Sequence, residues 1–283
     1  MDRLPDFLII GAAKAGTTSL HHYLDQHPAI AMSWPKETNY FTRENYKDRL
    51  DWYLGCFPDG ADLRGEASPM YAHFPACPEV PERISSLIPQ VKLIYLVRDP
   101  VERAESNYYH KYFNRTESRD IDEAFAQIDS PDHHYIAPGR YGMQLERYLS
   151  CFAMSQMMIL DNRDLKTARE STMRSVFSFL GVQPDVPASE YTREIKVRSK
   201  SVRVSRTAAH AGTSAPARIG RRVLPVGVRE PLYAAARRAL SPRGTVTATG
   251  LSPEMRERVA GYFHDDAARF RELTGKPFAH WSV

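Results

Sequence analysis

The stretch Asp6-Phe7-Leu8-Ile9-Ile10-Gly11-Ala12-Ala13-Lys14-Ala15-Gly16-Thr17-Thr18-Ser19-Leu20 decides how this 283-residue chain is read. An apolar run of strand length gives way to a loop of small residues, after which Thr17 to Gln26 alternates apolar and polar positions at helical spacing. The pattern predicts strand, loop, helix. At such a junction backbone N–H groups and the helix dipole converge on an anion, and Gly11, Ala12, Ala13, Ala15 and Gly16 leave room for one to approach. A Walker A loop needs lysine directly after its second glycine, followed by Ser or Thr for magnesium. Here Lys14 precedes Gly16, so the magnesium-nucleotide geometry of that loop is not predicted. Taken alone, the turn is also compatible with ordinary chain reversal.

Working outward, the same unit recurs at Val91 to Val97, an apolar run followed by Arg98-Asp99-Pro100 and a helix from Val101 to about Phe113. Proline suits a first helical turn, where its missing N–H has no intrahelical partner. Leu63 to Ser68 is a weaker strand signal, Glu79 to Leu87 a short helix ended by Pro89, and Tyr141 to Phe152 an amphipathic helix. Met157 to Leu160 reads as a strand and Ser171 to Leu180 as a helix stopped by Gly181. A last helix runs from Pro253 to about Leu273, with Ser252 as its cap and Gly275 beyond its end. Strands alternating with helices predict an α/β fold, a doubly wound and mainly parallel sheet flanked by helices. Between Pro184 and Gly250 periodicity fades, apart from an amphipathic stretch over Pro231 to Leu240. The expectation is a single domain: a core over 6–182, a basic insertion or lid over 183–250, and a C-terminal helix over 251–283.

Composition narrows the function classes. With 42% hydrophobic residues the chain can bury a large core, and no apolar run reaches the roughly 18 to 20 residues of a membrane span. The first residues lack the pattern of a signal peptide, so a cytoplasmic location is expected. Cys56, Cys77 and Cys151 lie far apart, supporting neither a disulfide framework nor a zinc site. The net charge of +4 conceals an asymmetry: residues 193–243 carry thirteen Lys and Arg against Glu194 and Glu230, leaving −7 on the rest. That block reads either as a solvated surface segment or as a collar for anionic ligands.

Ile10 to Leu20, IGAAKAGTTSL, resembles the 5′-phosphosulfate loop of sulfotransferases that use 3′-phosphoadenylyl sulfate (PAPS), in the branch of heparan-type and bacterial carbohydrate enzymes. Further segments follow in that family's order. Pro35 to Phe41 is similar to its K-E-x-x-x-F segment, Gly65 to Tyr71 to its E-x-[ST]-P-x-Y segment, and Leu96 to Tyr109 to its 3′-phosphate segment. Gly139-Arg140-Tyr141 through Phe179-Leu180-Gly181 and Leu251 to Trp281 resemble its later helices.

The resemblance implies a P-loop-like sulfotransferase with PAPS as donor and no metal. It implies donor contacts at Lys14, Ala15, Gly16, Thr17, Thr18 and Ser19, with Lys14 neutralising the bridging oxygen that leaves. Arg98 and Ser106 match the family's 3′-phosphate pair; the structural alternative is Arg98 paired with Asp99. Glu37 stands where the family places its catalytic base, and the acceptor is a hydroxyl on a carbohydrate, glycolipid or other small alcohol, with peripheral membrane contact as a further expectation and no nucleic-acid partner. Arg103 reads as a surface or helix-packing residue, and His21, His22, His110, His133 and His134 likewise as surface or packing residues. Trp34, Tyr40, Phe41, Trp52, Tyr53 and Tyr71 are expected either to stack on an acceptor or to fill the core. Two departures stand out: Ala67 replaces a lysine frequent in the family, and only Val197-Arg198-Ser199-Lys200 is available as its late basic cofactor loop, which makes Arg198 the candidate contact. The rival readings are a P-loop kinase and a nucleotide-binding regulator without catalysis.

Overall fold

The computed structural model describes residues 4–114, 116–130, 133–184 and 250–283. Five strands form one parallel sheet in the order β2-β3-β1-β4-β5, with β1 Phe7–Gly11, β2 Ile30–Met32, β3 Leu63–Ala67, β4 Lys92–Val97 and β5 Met157–Asp161. Parallel neighbours need crossovers, and helices on both faces accompany them. In chain order these are α1 Thr17–Leu24, α2 Leu50–Leu54, α3 Val80–Leu87, α4 Pro100–Phe113, α5 Ile121–Phe125, α6 Tyr141–Leu149, α7 Asn162–Thr167, α8 Arg169–Leu180 and α9 Pro253–Thr274. Every residue of β1 and all but the first of β4 are buried, the reason these strands read as continuous apolar runs and not as alternating ones.

The sheet order places the site. From β1 the chain goes to β2 at the edge and returns to place β3 between β2 and β1, then crosses to add β4 and β5 on the other side. The carboxyl ends of β1 and β4 therefore lie side by side at a topological switch point, where open α/β sheets bind ligands. Gly11 pairs with Tyr95 there, after a register irregularity that begins at Ile9.

The 251–283 segment closes the opposite face. α9 packs against α6 and α4, burying Val259, Phe263, Ala267 and Phe270. Beyond Gly275, whose φ of 64° suits glycine, Phe278 stacks on Trp281 with centroids 4.3 Å apart, and the indole Nε1 donates to Asp161 Oδ2 at the end of β5 over 3.2 Å. The structure adds elements the sequence did not predict: β2, of only three residues, and the short helices α2, α5 and α7. The 231–240 stretch and the basic block of 193–243 lie outside the described residues. Among the described residues no helix is long and apolar enough to cross a membrane.

Candidate active site

Between β1 and α1 the backbone turns through two residues with positive φ, Lys14 at 70° and Gly16 at 105°. Only Gly16 is obligatory by space as well as angle. A Cβ there would sit 2.4 Å from Asn162 Nδ2, which itself donates to Ala15 O and props the loop from the start of α7. The turn leaves the N–H groups of Ala13, Lys14, Gly16, Thr17 and Thr18 without an acceptor among the described residues. Convergent N–H groups at a helix start, with backbone of alternating hand, form an anion nest.

Three segments bring side chains to this nest. After β2 the chain runs through Ser33 to Glu37, with Ser33 Oγ donating to Pro35 O at 3.1 Å and Lys36 O accepting from Ala67 N at 3.3 Å. Lys36 Nζ then reaches Thr17 Oγ1 at 3.3 Å and Glu37 Oε1 at 2.9 Å, tying the Lys-Glu pair to the head of α1. Sequence reasoning gave Lys36 no role. It is the cation this chain brings to the loop while Ala67 lies fully buried at the position of the family lysine. Lys14 forms no hydrogen bond or ion pair among the described residues. Its pKa is lowered, first by burial, then by Lys36, Arg98 and Arg103 against an opposing pull from Glu37, a set of neighbours that marks one shared site.

Arg98 leaves the end of β4 and puts Nε and Nη2 on Glu102 Oε2, at 2.9 and 2.7 Å. The expected alternative pairing with Asp99 is thereby corrected. Asp99 instead caps α4, accepting from Glu102 N at 2.9 Å, and takes the N–H of Ser282. Ser106 lies two turns along α4, half-buried. Thr18 is exposed and Ser19 half-buried at the mouth of the loop, whereas Thr17 is buried. Arg198 lies outside the described residues.

Other expectations separate cleanly. Arg103 is no surface residue: its side chain is fully buried. His110 also departs from a bystander role, because its pKa is lowered by desolvation and then by Lys14, with Glu37 opposing, which puts the imidazole within electrostatic reach of both. Its place one turn beyond Ser106 on α4 was the available signal. His133 and His134 stack on each other, centroids 5.4 Å apart, and His21 is driven to about 4 by burial, so these are packing residues. Of the six aromatics, Tyr40, Phe41, Tyr53 and Tyr71 are core, with Tyr40 and Tyr53 stacked at 4.0 Å; Trp34, 61% exposed, and Trp52 face solvent.

Beneath the Lys-Glu pair lies a group to which sequence reasoning gave no role. Glu66, fully buried on β3, accepts from Tyr71 OH at 2.6 Å, Tyr53 OH at 3.0 Å, Ser68 Oγ at 3.4 Å and Thr38 Oγ1. Burial raises its pKa to about 7 in spite of these donors. Because Thr38 follows Glu37 directly, this cluster fixes the segment that carries the exposed carboxylate.

The arrangement can grip a polyanion between the nest and Arg98 and present a carboxylate, Glu37, beside it. Comparison with known proteins agrees. Residues 4–210 match the family described as Sulfotransferase domain. Human bifunctional heparan sulfate N-deacetylase/N-sulfotransferase 2 is 32% identical over 215 residues, 69% of this chain and 24% of that protein. The human N-deacetylase/N-sulfotransferase 3 is 34% identical over 209 residues, 67% of this chain and 24% of that one. The chain thus spans about a quarter of the length of the curated relatives it matches. Among solved structures, a sulfotransferase from Alicyclobacillus acidocaldarius aligns with a TM-score of 0.69 at 23% identity, covering 99% of this chain and 100% of that one. Mouse sulfotransferase SULT7A1 complexed with PAP aligns at 0.55 and 13% identity, covering 93% and 84%. These structural likenesses show the fold, a P-loop-like α/β fold. The chain belongs to the sulfotransferase family.

Proposed function

We propose that the protein transfers a sulfuryl group from PAPS to an acceptor hydroxyl, with Glu37 as general base. The observation that carries this reading is Lys14, unpaired among the described residues, within a nest of five N–H groups that have no acceptor there, joined through Thr17 and Lys36 to Glu37. The 5′-phosphosulfate fits the nest in charge and shape, and the 3′-phosphate fits Arg98, whose guanidinium fork would exchange Glu102 for a dianion.

The step balances within these groups. The acceptor oxygen attacks sulfur in line with the bridging oxygen, its proton passes to Glu37, and the bond from sulfur to the phosphate oxygen breaks. The charge gathering on that leaving oxygen meets Lys14 and the nest, so catalysis is placement plus electrostatics. The products are the sulfated acceptor and 3′-phosphoadenosine 5′-phosphate (PAP).

A second reading of the acceptor rests on the relatives, whose names place their sulfuryl group on nitrogen. An amine acceptor would need the same base, so the residues alone do not divide the two. Incubating the enzyme with PAPS and paired amino- and hydroxy-sugar acceptors, and locating the added SO3 by mass spectrometry, does.

The decisive experiment for the donor is calorimetry with PAP and with adenosine 5′-phosphate, on the wild type and on Arg98→Ala. Wild type should prefer PAP, and Arg98→Ala should lose that preference; equal wild-type affinity for both would reject the 3′-phosphate assignment. Glu37→Gln should keep PAP affinity within a few-fold while turnover drops by about 10²–10⁴-fold. Near-normal turnover would move the base, with His110 as the next group to test.

A further inference from the structure

Arg103, in the second turn of α4, is the largest fully buried charged side chain among the described residues. Its Nη2 donates to the carbonyl of Tyr135, while neither Nε nor Nη1 has a hydrogen-bond partner. Among the described residues no carboxylate forms an ion pair with it. The guanidinium is held in place tightly: a Cβ on Gly139 would lie 3.1 Å from its Nε and 2.9 Å from the Phe263 ring. Such a group is expensive to bury, and a long apolar side chain would fill the same space without the charge.

Position explains what the charge is for. The ionisable groups that feel the charge of Arg103 include Tyr141, Tyr95, Arg98, Lys14 and His73, with the two phenols kept neutral by burial. Tyr95, two residues before the end of β4, lies against Gly11, the last residue of β1, since a Cβ on Gly11 would meet its ring at 3.0 Å. Gly139, packed on the Arg103 Nε, leads into Tyr141, whose ring meets that of Tyr95 with centroids 5.8 Å apart, so Arg103 stands behind the wall formed by the carboxyl ends of β1 and β4. Its field reaches Lys14 and Arg98 through protein interior, where charges are weakly screened.

We propose that Arg103 is a positioning residue of the donor site: a buried cation without a counterion among the described residues, whose charge is balanced when the donor's phosphates arrive. This inference rests on the PAPS reading above. It differs from a contact such as Arg98, because a charge behind the wall acts on both ends of the nucleotide and on no single oxygen. By linkage, the same unpaired charge that strengthens anion binding burdens the ligand-free protein.

The test compares wild type, Arg103→Met, Arg103→Lys and Arg98→Met, titrated with PAP and with adenosine 5′-phosphate, alongside urea denaturation of each ligand-free protein. Arg103→Met should weaken both nucleotides by about tenfold or more, the scale of one unit charge acting across roughly 10 Å of protein. Its ligand-free stability should equal or exceed that of the wild type. Arg103→Lys should restore both affinities to within about threefold, as expected for a role of charge and not of shape. Arg98→Met should weaken PAP far more than adenosine 5′-phosphate.

Arg103→Met binding PAP within about twofold of wild type would overturn the proposal, and so would a loss of ligand-free stability with affinity unchanged. Should the Met variant not fold, Arg103→Gln takes its place. Failure of both neutral variants to fold while Lys folds would assign Arg103 to structure alone and overturn the proposal as well. A wild type that binds neither nucleotide would instead reject the donor reading itself, and this inference with it.

Discussion

A carboxyl group with four hydroxyl donors and no cation beside it is an unusual way to hold a loop, and Glu66 makes the consequence measurable. Burial sets its pKa near 7, above the ordinary 4.5 of a glutamate, so the folded protein keeps a proton that the unfolded chain has lost across that interval. Stability from this group is complete below about pH 4.5 and is lost as pH rises through 7, by on the order of 3 kcal/mol. Glu66→Gln removes the titration while keeping an acceptor for the hydroxyls. Urea denaturation at pH 5.5 and 8.5 should therefore show wild type losing more stability than Glu66→Gln between the two. Equal losses would mean that Glu66 stays ionised throughout. The motif around Glu66 is visible in the sequence, but its burial is not: Gly-Glu-Ala-Ser-Pro gives no sign that Tyr53, thirteen residues earlier, supplies a donor. Gly16 was legible because the local backbone, with its φ of 105°, demands glycine, and Lys14 because the loop around it resembles a family motif. Arg103 and Asn162 were not, since their partners lie at Tyr135 and Ala15, on elements brought close only by the fold.

Among the elements, α6 shows how one helix can be started by another. Its Ncap, Arg140, supplies no side-chain cap. The missing acceptors come from α9, where both oxygens of Asp266 take N–H groups of α6: Gly142 to Oδ2 and Met143 to Oδ1, each at 2.9 Å. This works because Gly142 has no side chain; a Cβ there would come within 2.7 Å of the Asp266 carbonyl. Asp266→Ala strands two buried donors and should cost roughly 1–3 kcal/mol, read as a lower urea midpoint with unchanged slope. Gly142→Ala should be at least as damaging, because it forces the helices apart. A loss under about 0.5 kcal/mol for Asp266→Ala would mean that water replaces the carboxylate. Both helices were recognisable from their apolar spacing, and α9 also from its Ser252 cap. Their dependence on each other was not, for the two stretches are separated by more than a hundred residues. β2 escaped notice for a simpler reason: three residues, Ile30–Met32, fall below the length at which a strand pattern can be distinguished from a turn.

Across the whole molecule, the C-terminal residues act at the site without touching the anion loop. Trp281 donates to Asp161, whose other oxygen caps α7 through Arg163 N at 2.7 Å, and the next residue, Ser282, donates to Asp99, which caps α4. The two carboxylates end β5 and begin α4, and each neighbours a residue of the site: Asn162, which props Ala15, and Arg98. Residues distant in sequence thus fix the ends of both strands on the side where Arg98 lies. Trp281 also lies within an aromatic stack with Phe270 and Phe278, its centroid 5.9 Å from the first and 4.3 Å from the second. Trp281→Ala should cost about 3–5 kcal/mol by losing that stack, whereas Trp281→Phe keeps most of the apolar contact and should cost only about 1–2 kcal/mol for the lost hydrogen bond. The functional signature separates from stability in the Phe variant. With Asp161 Oδ2 left to His280 Nε2 alone, 3.1 Å away, Asn162 and the Gly16 turn lose part of their support, so PAP affinity should fall several-fold in Trp281→Phe at a temperature where the protein is still fully folded. Calorimetry at that temperature checks it: PAP affinity equal to wild type in Trp281→Phe would confine the tail to packing and break the proposed link from Trp281 through Asp161 to the anion loop.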